Sequence, residues 1–294
     1  MEIRLPATEA VNTVGGLLGR GRTALGEAEA ASLEAEILLG HALGRGREWL
    51  HAHSDETPAD ADIRRYFCLI EERALTGCPI AYLIGEREFH GLRLAQARGV
   101  LVPRPETEEL VDLAAAHLEK APAAGVIVDA GCGCGAIGIA LAVITGRNVI
   151  AIDIACDAVE LTRRNAALCA VDDKVRVLRG SWLEPLSFLS PVPNVAAVVS
   201  NPPYVRTNLL PGLPRDIFLH EPHMALDGGV DGLDSIRRLM SETKSRLCPS
   251  GFFAFEFADD QEAQVLDHLK RGGWSRFETK RDLAGLPRMA VAYL

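Results

Sequence analysis

Residues 126 to 136 read Val126-Ile127-Val128-Asp129-Ala130-Gly131-Cys132-Gly133-Cys134-Gly135-Ala136. The β-branched start of this stretch has the texture of a buried parallel strand. A loop holding Gly131, Gly133 and Gly135 follows, and an apolar run from Ala136 to Thr145 continues at helix length. Glycine lets the backbone turn sharply and approach a ligand where a Cβ would collide. An ordinary β–α turn has no need of three of them in five residues. The unit is therefore a strand, a ligand-cradling loop and a helix. Gly131, Gly133 and Ala136 also satisfy the dinucleotide pattern G-x-G-x-x-G/A. Asp153 closes the next apolar strand, where a carboxylate binds ribose hydroxyls. Nicotinamide cofactors and S-adenosylmethionine both fit these residues, which do not choose between them.

Outward from this unit the chain alternates. Strands are expected at Val126–Asp129, Val149–Asp153, Val175–Leu178, Val195–Ser200 and Phe252–Phe257, with two more near Trp274–Thr279 and Met289–Leu294. Helices are expected at Ala136–Thr145, Cys156–Cys169, Leu233–Leu247 and Gln261–Arg271. Such alternation predicts an α/β, Rossmann-like domain with a seven-stranded, mainly parallel sheet covered by helices on both faces. Residues 1 to about 75 differ, being rich in Ala, Leu and Glu. Leu33, Ile37 and Leu38 recur at helical spacing within Ala28–Leu43, which Gly44 and Gly46 end. Ile63, Phe67 and Ile70 do so within Ala61–Thr76. These predict a small helical bundle. Pro79–Val102 carries Gly85, Gly91 and Gly99 and reads as a hairpin linker. Pro103-Arg104-Pro105-Glu106-Thr107 then leads into a helix, with Thr107 as its cap and Leu110, Leu113 and Leu118 on its apolar face. The expected domains are 1–77, helical and substrate-recognising; 78–102, the linker; and 103–294, the catalytic domain.

Bulk composition narrows the class. The 294 residues are 48% hydrophobic and 24% charged, the mix of a soluble globular chain. A net charge of −9 argues against non-specific grip on nucleic acid or anionic membrane. MEIRLPATEA lacks the basic start and apolar stretch of a signal peptide, and Ala136–Thr145 is too short to span a bilayer. The seven cysteines form no disulfide framework at these spacings, so a cytoplasmic location is expected. No pair of Cys132, Cys134 and Cys156 has metal-ligand spacing, and Pro222 breaks any helix between His220 and His223. No metal is expected. Lys270, Arg271, Arg276, Lys280 and Arg281 surround Trp274 and Phe277, a pattern read as a solvated face over core aromatics.

The choice of chemistry comes from Asn201-Pro202-Pro203-Tyr204, which ends the strand Val195–Ser200. Proline offers no N–H and holds the residue before it extended, so the chain makes a stiff corner at the sheet edge. Hydride transfer has no use for such a corner. Methyl transfer to a planar nitrogen does, because an amide lone pair is delocalised and must be aimed. Asn201 offers one acceptor and two donors. Its oxygen accepts from a substrate NH₂, the Pro202 carbonyl accepts the second N–H, and Tyr204 packs on the amide plane. Such alignment lowers a barrier by up to roughly 7–11 kcal/mol.

With those residues in place the chain resembles the HemK/PrmC family, S-adenosylmethionine-dependent methyltransferases of peptide chain release factors. The resemblance runs over nearly the whole chain. It rests on Pro79-Ile80-Ala81-Tyr82-Leu83-Ile84-Gly85, Phe89-His90-Gly91, Val102-Pro103-Arg104-Pro105-Glu106-Thr107-Glu108 and the Asn201–Tyr204 corner. Glu221-Pro222-His223-Met224-Ala225-Leu226, Asp231-Gly232-Leu233 and Lys280-Arg281-Asp282-Leu283-Ala284-Gly285 complete it. It implies methylation of the side-chain amide (N5) of the glutamine in the release factor's Gly-Gly-Gln motif. It places Gly131, Cys132, Gly133, Cys134, Gly135, Asp153, Trp182 and Asn201 at the cofactor, and Asn201, Pro202, Pro203 and Tyr204 at the substrate. Asn201, Pro202 and Tyr204 would be catalytic. The implied partner is a release factor, with no direct nucleic-acid or membrane contact, and the chain would act as a monomer. Departures are Cys132 and Cys134, where Thr and Ser are usual, and Glu256-Phe257-Ala258, where Glu-x-Gly is common. His220 stands where Tyr is usual. Two alternatives are an adenine-N6 methyltransferase of nucleic acid and a non-catalytic interaction protein that keeps the cofactor fold.

Overall fold

A computed structural model describes residues 12–26, 30–120 and 125–294. The decapeptide MEIRLPATEA and the expected helix start at Ala28 lie outside these residues. The chain forms two compact units: residues up to Gly85 with Pro214–His220, and Glu86–Leu213 with Glu221–Leu294.

The first unit is helical. Helices α1 (Val14–Leu25), α2 (Ala31–Leu43), α3 (Arg47–Ala52), α4 (Asp60–Thr76) and α5 (Ile80–Ile84) follow one another. Thr13 caps α1 by accepting from the Gly16 N–H (3.3 Å), and Gly44, Gly77 and Gly85 end α2, α4 and α5 in the left-handed conformation. The core holds Leu17, Leu38, Leu39, Leu50, Ile63, Tyr66 and Ile70. Leu33, expected inside, is 44% exposed. The buried face of α2 is carried by Ala31, Ala35, Leu38, Leu39 and Ala42, where small alanines allow close helix approach. Arg73 of α4 forks onto Glu34 of α2 with bonds of 2.6 and 2.9 Å. Of the stretch expected as one hairpin linker, Ile80–Ile84 is helical and belongs with this unit.

In the second unit β1 (Glu86–Phe89) and β2 (Leu92–Ala95) form the expected hairpin. Phe89 and Leu94 are buried in this unit's own core. After α6 (Glu106–Lys120) come β3 (Val126–Ala130), α7 (Ala136–Thr145), β4 (Val149–Asp153), α8 (Cys156–Leu168), β5 (Val175–Arg179) and β6 (Val195–Ser200). The chain continues through α9 (Arg215–His220, part of the first unit), α10 (Asp234–Lys244), β7 (Leu247–Glu256), α11 (Glu262–Arg271), β8 (Arg276–Arg281) and β9 (Pro287–Tyr293). The seven-stranded sheet has the order β5-β4-β3-β6-β7-β9-β8, with only β9 reversed. Because side chains alternate along a strand, Ile127 and Val199 face a core built with α6, α7 and α8, while Val128 and Val198 face one built with α10 and α11. Helices thus cover both faces, as expected. Strand order reverses between β3 and β6, the switch point where open α/β sheets take ligands at the carboxyl ends of their strands. The glycine loop follows β3 and the Asn201 corner follows β6, so the topology sets them side by side. Among the described residues no helix is long and apolar enough to cross a membrane.

Candidate active site

A cavity of about 380 Å³ opens at this switch point. Its walls come from the glycine loop, Asp153 at the end of β4 with Ile154 after it, Gly180–Trp182 after β5, and Asn201 and Pro203 after β6. Val100, Leu101, Pro103 and Thr107 line the side before and within α6, and Pro222, Met224, Ala225 and Asp227 line the loop after α9. Nearly all of the residues expected at the cofactor therefore meet in one place.

The loop needs its glycines. Gly131, Gly133 and Gly135 all have positive φ, at 76°, 57° and 85°. A Cβ on Gly135 would lie 2.8 Å from both Ile139 Cδ1 and Thr162 Cγ2, so that glycine also lets α7 and α8 close up. A Cβ on Gly131 would lie 3.3 Å from the Trp182 ring, which covers that backbone. The Asp153 carboxylate accepts from the Gly133 N–H and the Ala155 N–H, each at 2.9 Å. It is thereby held at the cavity wall with lone pairs to spare for a ligand. Burial raises its pKa, and these backbone N–H groups pull it back down. Cys132 and Cys134 line the cavity as neutral thiols: burial pushes Cys134 up to about 12 and Cys132 well above its usual range. An open glycine cradle, an oriented carboxylate, an indole and the half-exposed Ile154 suit a nucleoside carrying a short polar chain. S-adenosylmethionine is such a molecule, and the site fits it.

Across the cavity the corner after β6 is pinned from several directions. Ser200 Oγ donates to the Ala130 carbonyl (2.6 Å), tying the end of β6 to the end of β3. Asn201 Nδ2 donates to Thr107 Oγ1 (3.0 Å), and Thr107 Oγ1 donates to Glu256 Oε2 (2.8 Å). Tyr204 Oη donates to Glu256 Oε1 (2.8 Å), and Gln261 Nε2 donates to the Tyr204 carbonyl (3.0 Å). Burial raises the pKa of Glu256, against the pull of the Thr107 and Tyr204 hydroxyls. Tyr204 is raised well above its usual range by burial and by the neighbouring carboxylate.

Some expectations change here. Asn201 and Pro203 line the cavity, but Pro202 and Tyr204 do not. Pro202 is buried, and the Tyr204 ring packs against the second core because its hydroxyl is drawn to Glu256. Thr107 is not a helix cap but a residue of the first turn of α6, buried between Asn201 and Glu256. Ala258 takes an ordinary extended conformation (φ −72°, ψ 143°), so no glycine is needed after β7. His220 lies in the helical unit, its Nε2 2.9 Å from the Thr76 carbonyl. The sequence reading missed Thr107 and Glu256 as members of the site. It also missed the Arg104–Glu221 pair (2.7 and 2.8 Å), which joins the segment before α6 to the loop after α9. The signal was available only as an acidic residue buried at a strand end and an arginine between two prolines.

This fold and site define a class I methyltransferase, an enzyme dependent on S-adenosylmethionine. Residues 16–85 match the family described as PrmC N-terminal domain, and residues 108–217 match the Methyltransferase small domain. The release factor glutamine methyltransferase of Moorella thermoacetica is 38% identical, across 92% of this chain and 94% of its own length. That of Yersinia pestis is also 38% identical, across 88% and 90%. The chain belongs to the release factor glutamine methyltransferase family. Among solved structures, the hMettl16 catalytic domain in complex with MAT2A 3'UTR hairpin 6 has a TM-score of 0.56 at 13% identity, covering 80% of this chain and 81% of that one. Human methyltransferase 10 domain containing protein gives 0.50 at 15% identity, covering 76% and 97%. These two likenesses concern the fold alone.

Proposed function

We propose that this protein methylates the N5 side-chain amide of the glutamine in the Gly-Gly-Gln motif of a peptide chain release factor, in the cytoplasm. The observation that carries the chemistry is Asn201 beside the glycine loop, its amide held by Thr107 at the mouth of a nucleoside-sized cavity. The names and full-length coverage of the relatives support the substrate. A nucleic-acid substrate is disfavoured by the matched N-terminal domain and the net charge of −9.

Gly131, Gly133, Asp153 and Trp182 would hold the cofactor. When bound, S-adenosylmethionine supplies an electrophilic methyl group on a sulfonium sulfur. Asn201 Oδ1 would accept one N–H of the substrate amide and the Pro202 carbonyl, which lies between two cavity-lining residues rather than on the wall itself, the other. With both hydrogens held, the nitrogen lone pair points along the remaining direction, toward the cofactor. As the nitrogen takes the methyl group, whose former bonding pair would stay on the sulfur, it gains positive charge, which both acceptors stabilise. Its proton then becomes acidic enough to leave to water, so no strong base is required. Tyr204 contributes by fixing the corner through Glu256 rather than by stacking on the substrate.

Asn201→Ala should lower turnover by about 10²-fold or more while cofactor affinity stays within about threefold, because the lost acceptor acts on charge that develops in the transition state. Release-factor methylation at the wild-type rate by this variant would overturn the assignment.

A further inference from the structure

Thr107 and Glu256 are buried at the ends of different elements, α6 and β7, and both hydroxyls that reach Glu256 donate to it. A threonine hydroxyl has one proton. Because Thr107 gives that proton to Glu256, it can turn only a lone pair toward Asn201. The Asn201 amide has two ends, and the one that meets a lone pair must be the N–H₂. Its oxygen is then left for the cavity. We infer that Glu256, acting through Thr107, is a positioning residue that decides which end of the Asn201 amide faces the substrate. This inference rests on the glutamine-methyltransferase reading of the site.

The chain of donors runs one way because a carboxylate only accepts. Neutral partners such as glutamine carry both ends and tolerate either direction. The direction matters at the substrate. An amide NH₂ presents donors alone, so it is held by Asn201 Oδ1 and repelled by Asn201 Nδ2. A flipped Asn201 would also place a positive dipole end beside a nitrogen that is gaining positive charge. Tyr204 occupies the second oxygen of Glu256, so neither oxygen is left without a donor and the carboxylate keeps one orientation. Burial of a carboxylate here is otherwise unfavourable, and it is tolerated because both oxygens are hydrogen-bonded.

The test uses the whole enzyme with a release factor and S-adenosylmethionine, reading kcat, KM and cofactor affinity. Glu256→Gln releases Thr107 from having to donate, since a glutamine can turn its N–H₂ to either hydroxyl, and Thr107→Val removes the link at nearly constant shape. Each should lower kcat at least about tenfold while cofactor affinity stays within about threefold. Thr107→Ser, which keeps the hydroxyl, should recover turnover to within about threefold of wild type. The readout that a merely structural role would not move is coupling to Asn201. In an Asn201→Ala background, Glu256→Gln and Thr107→Val should lower kcat no further, since their effect passes through the amide that has gone. If the wild type is active and these variants match it, or if they lower kcat by the same factor with and without Asn201, the inference is overturned. Should Glu256→Gln fail to fold, Thr107→Val and Thr107→Ser carry the test unaided. A wild-type enzyme that leaves the release factor unmethylated overturns the underlying reading of the site, and this inference with it.

Discussion

Asp153→Ala removes the one carboxylate that the structure orients at the cavity wall at the end of β4. Its two backbone partners, Gly133 and Ala155, define what else is lost, because their N–H groups would have to find water instead. A hydrogen bond to a charged group contributes about 1.5–3 kcal/mol, which corresponds to roughly 10- to 150-fold in affinity. Asp153→Ala should therefore weaken S-adenosylmethionine binding by about 100-fold, adding the loop's loss of order to the ribose contact. Asp153→Asn keeps one acceptor but loses the charge and turns its N–H₂ toward one of the two backbone N–H donors, so a loss of at least about tenfold is expected. Calorimetry with S-adenosylmethionine and with its demethylated product separates two causes. A ribose contact weakens both ligands equally, whereas attraction to the sulfonium weakens only the first. The pH dependence has a definite sign. Burial raises the pKa of Asp153 in the free protein, and the ligand favours the ionised form. Affinity should then fall as pH drops through that raised value. Unchanged affinity in Asp153→Ala, or a loss confined to the charged ligand, would refute the ribose assignment.

Gly135→Ala should destabilise the protein by about 2–5 kcal/mol in urea unfolding, combining left-handed strain with overpacking against Ile139 and Thr162. Gly146 has positive φ but open space around it, so Gly146→Ala should lose only about 1–2 kcal/mol; equal losses would contradict the packing of the loop. Asp129 is fully buried, and burial raises its pKa from 3.8 to about 7. Such a group supports folding fully below its unfolded value, and that support is lost as pH rises toward the folded one. Asp129→Asn should therefore gain stability relative to wild type between about pH 4 and pH 7, by at least about 1 kcal/mol, and run parallel above. Parallel curves across the whole range would show that Asp129 titrates alike in the folded and unfolded protein, so that burial does not raise its pKa.

The sheet was legible because strands buried on both faces are continuous apolar runs, and β3, β4 and β6 lie where such runs were read. Strand β7 begins at Leu247 rather than Phe252, since Pro249, Ser250 and Gly251 interrupt the pattern, and the pairing with β6 shifts register there. Helix α1 was missed because Gly15, Gly16, Gly19 and Gly21 mask its period. Gly21 is there for packing: a Cβ would fall 1.8 Å from the buried Tyr66 hydroxyl. The cofactor side of the site was readable because its residues are local to strand ends. The Thr107–Glu256 link was not, because it joins residues 149 positions apart and local capping rules explained Thr107 well enough alone. Tyr204 was misplaced for the same reason, its partner Glu256 lying 52 positions away.

Release-factor methylation is decided by incubating the protein with S-adenosylmethionine and a purified release factor, then sequencing the Gly-Gly-Gln peptide by tandem mass spectrometry. The expected result is a gain of one CH₂ on the glutamine side chain, absent without cofactor and strongly reduced with Asn201→Ala. An unmodified peptide with active cofactor binding, or a methyl group appearing on adenine in added nucleic acid, would contradict it.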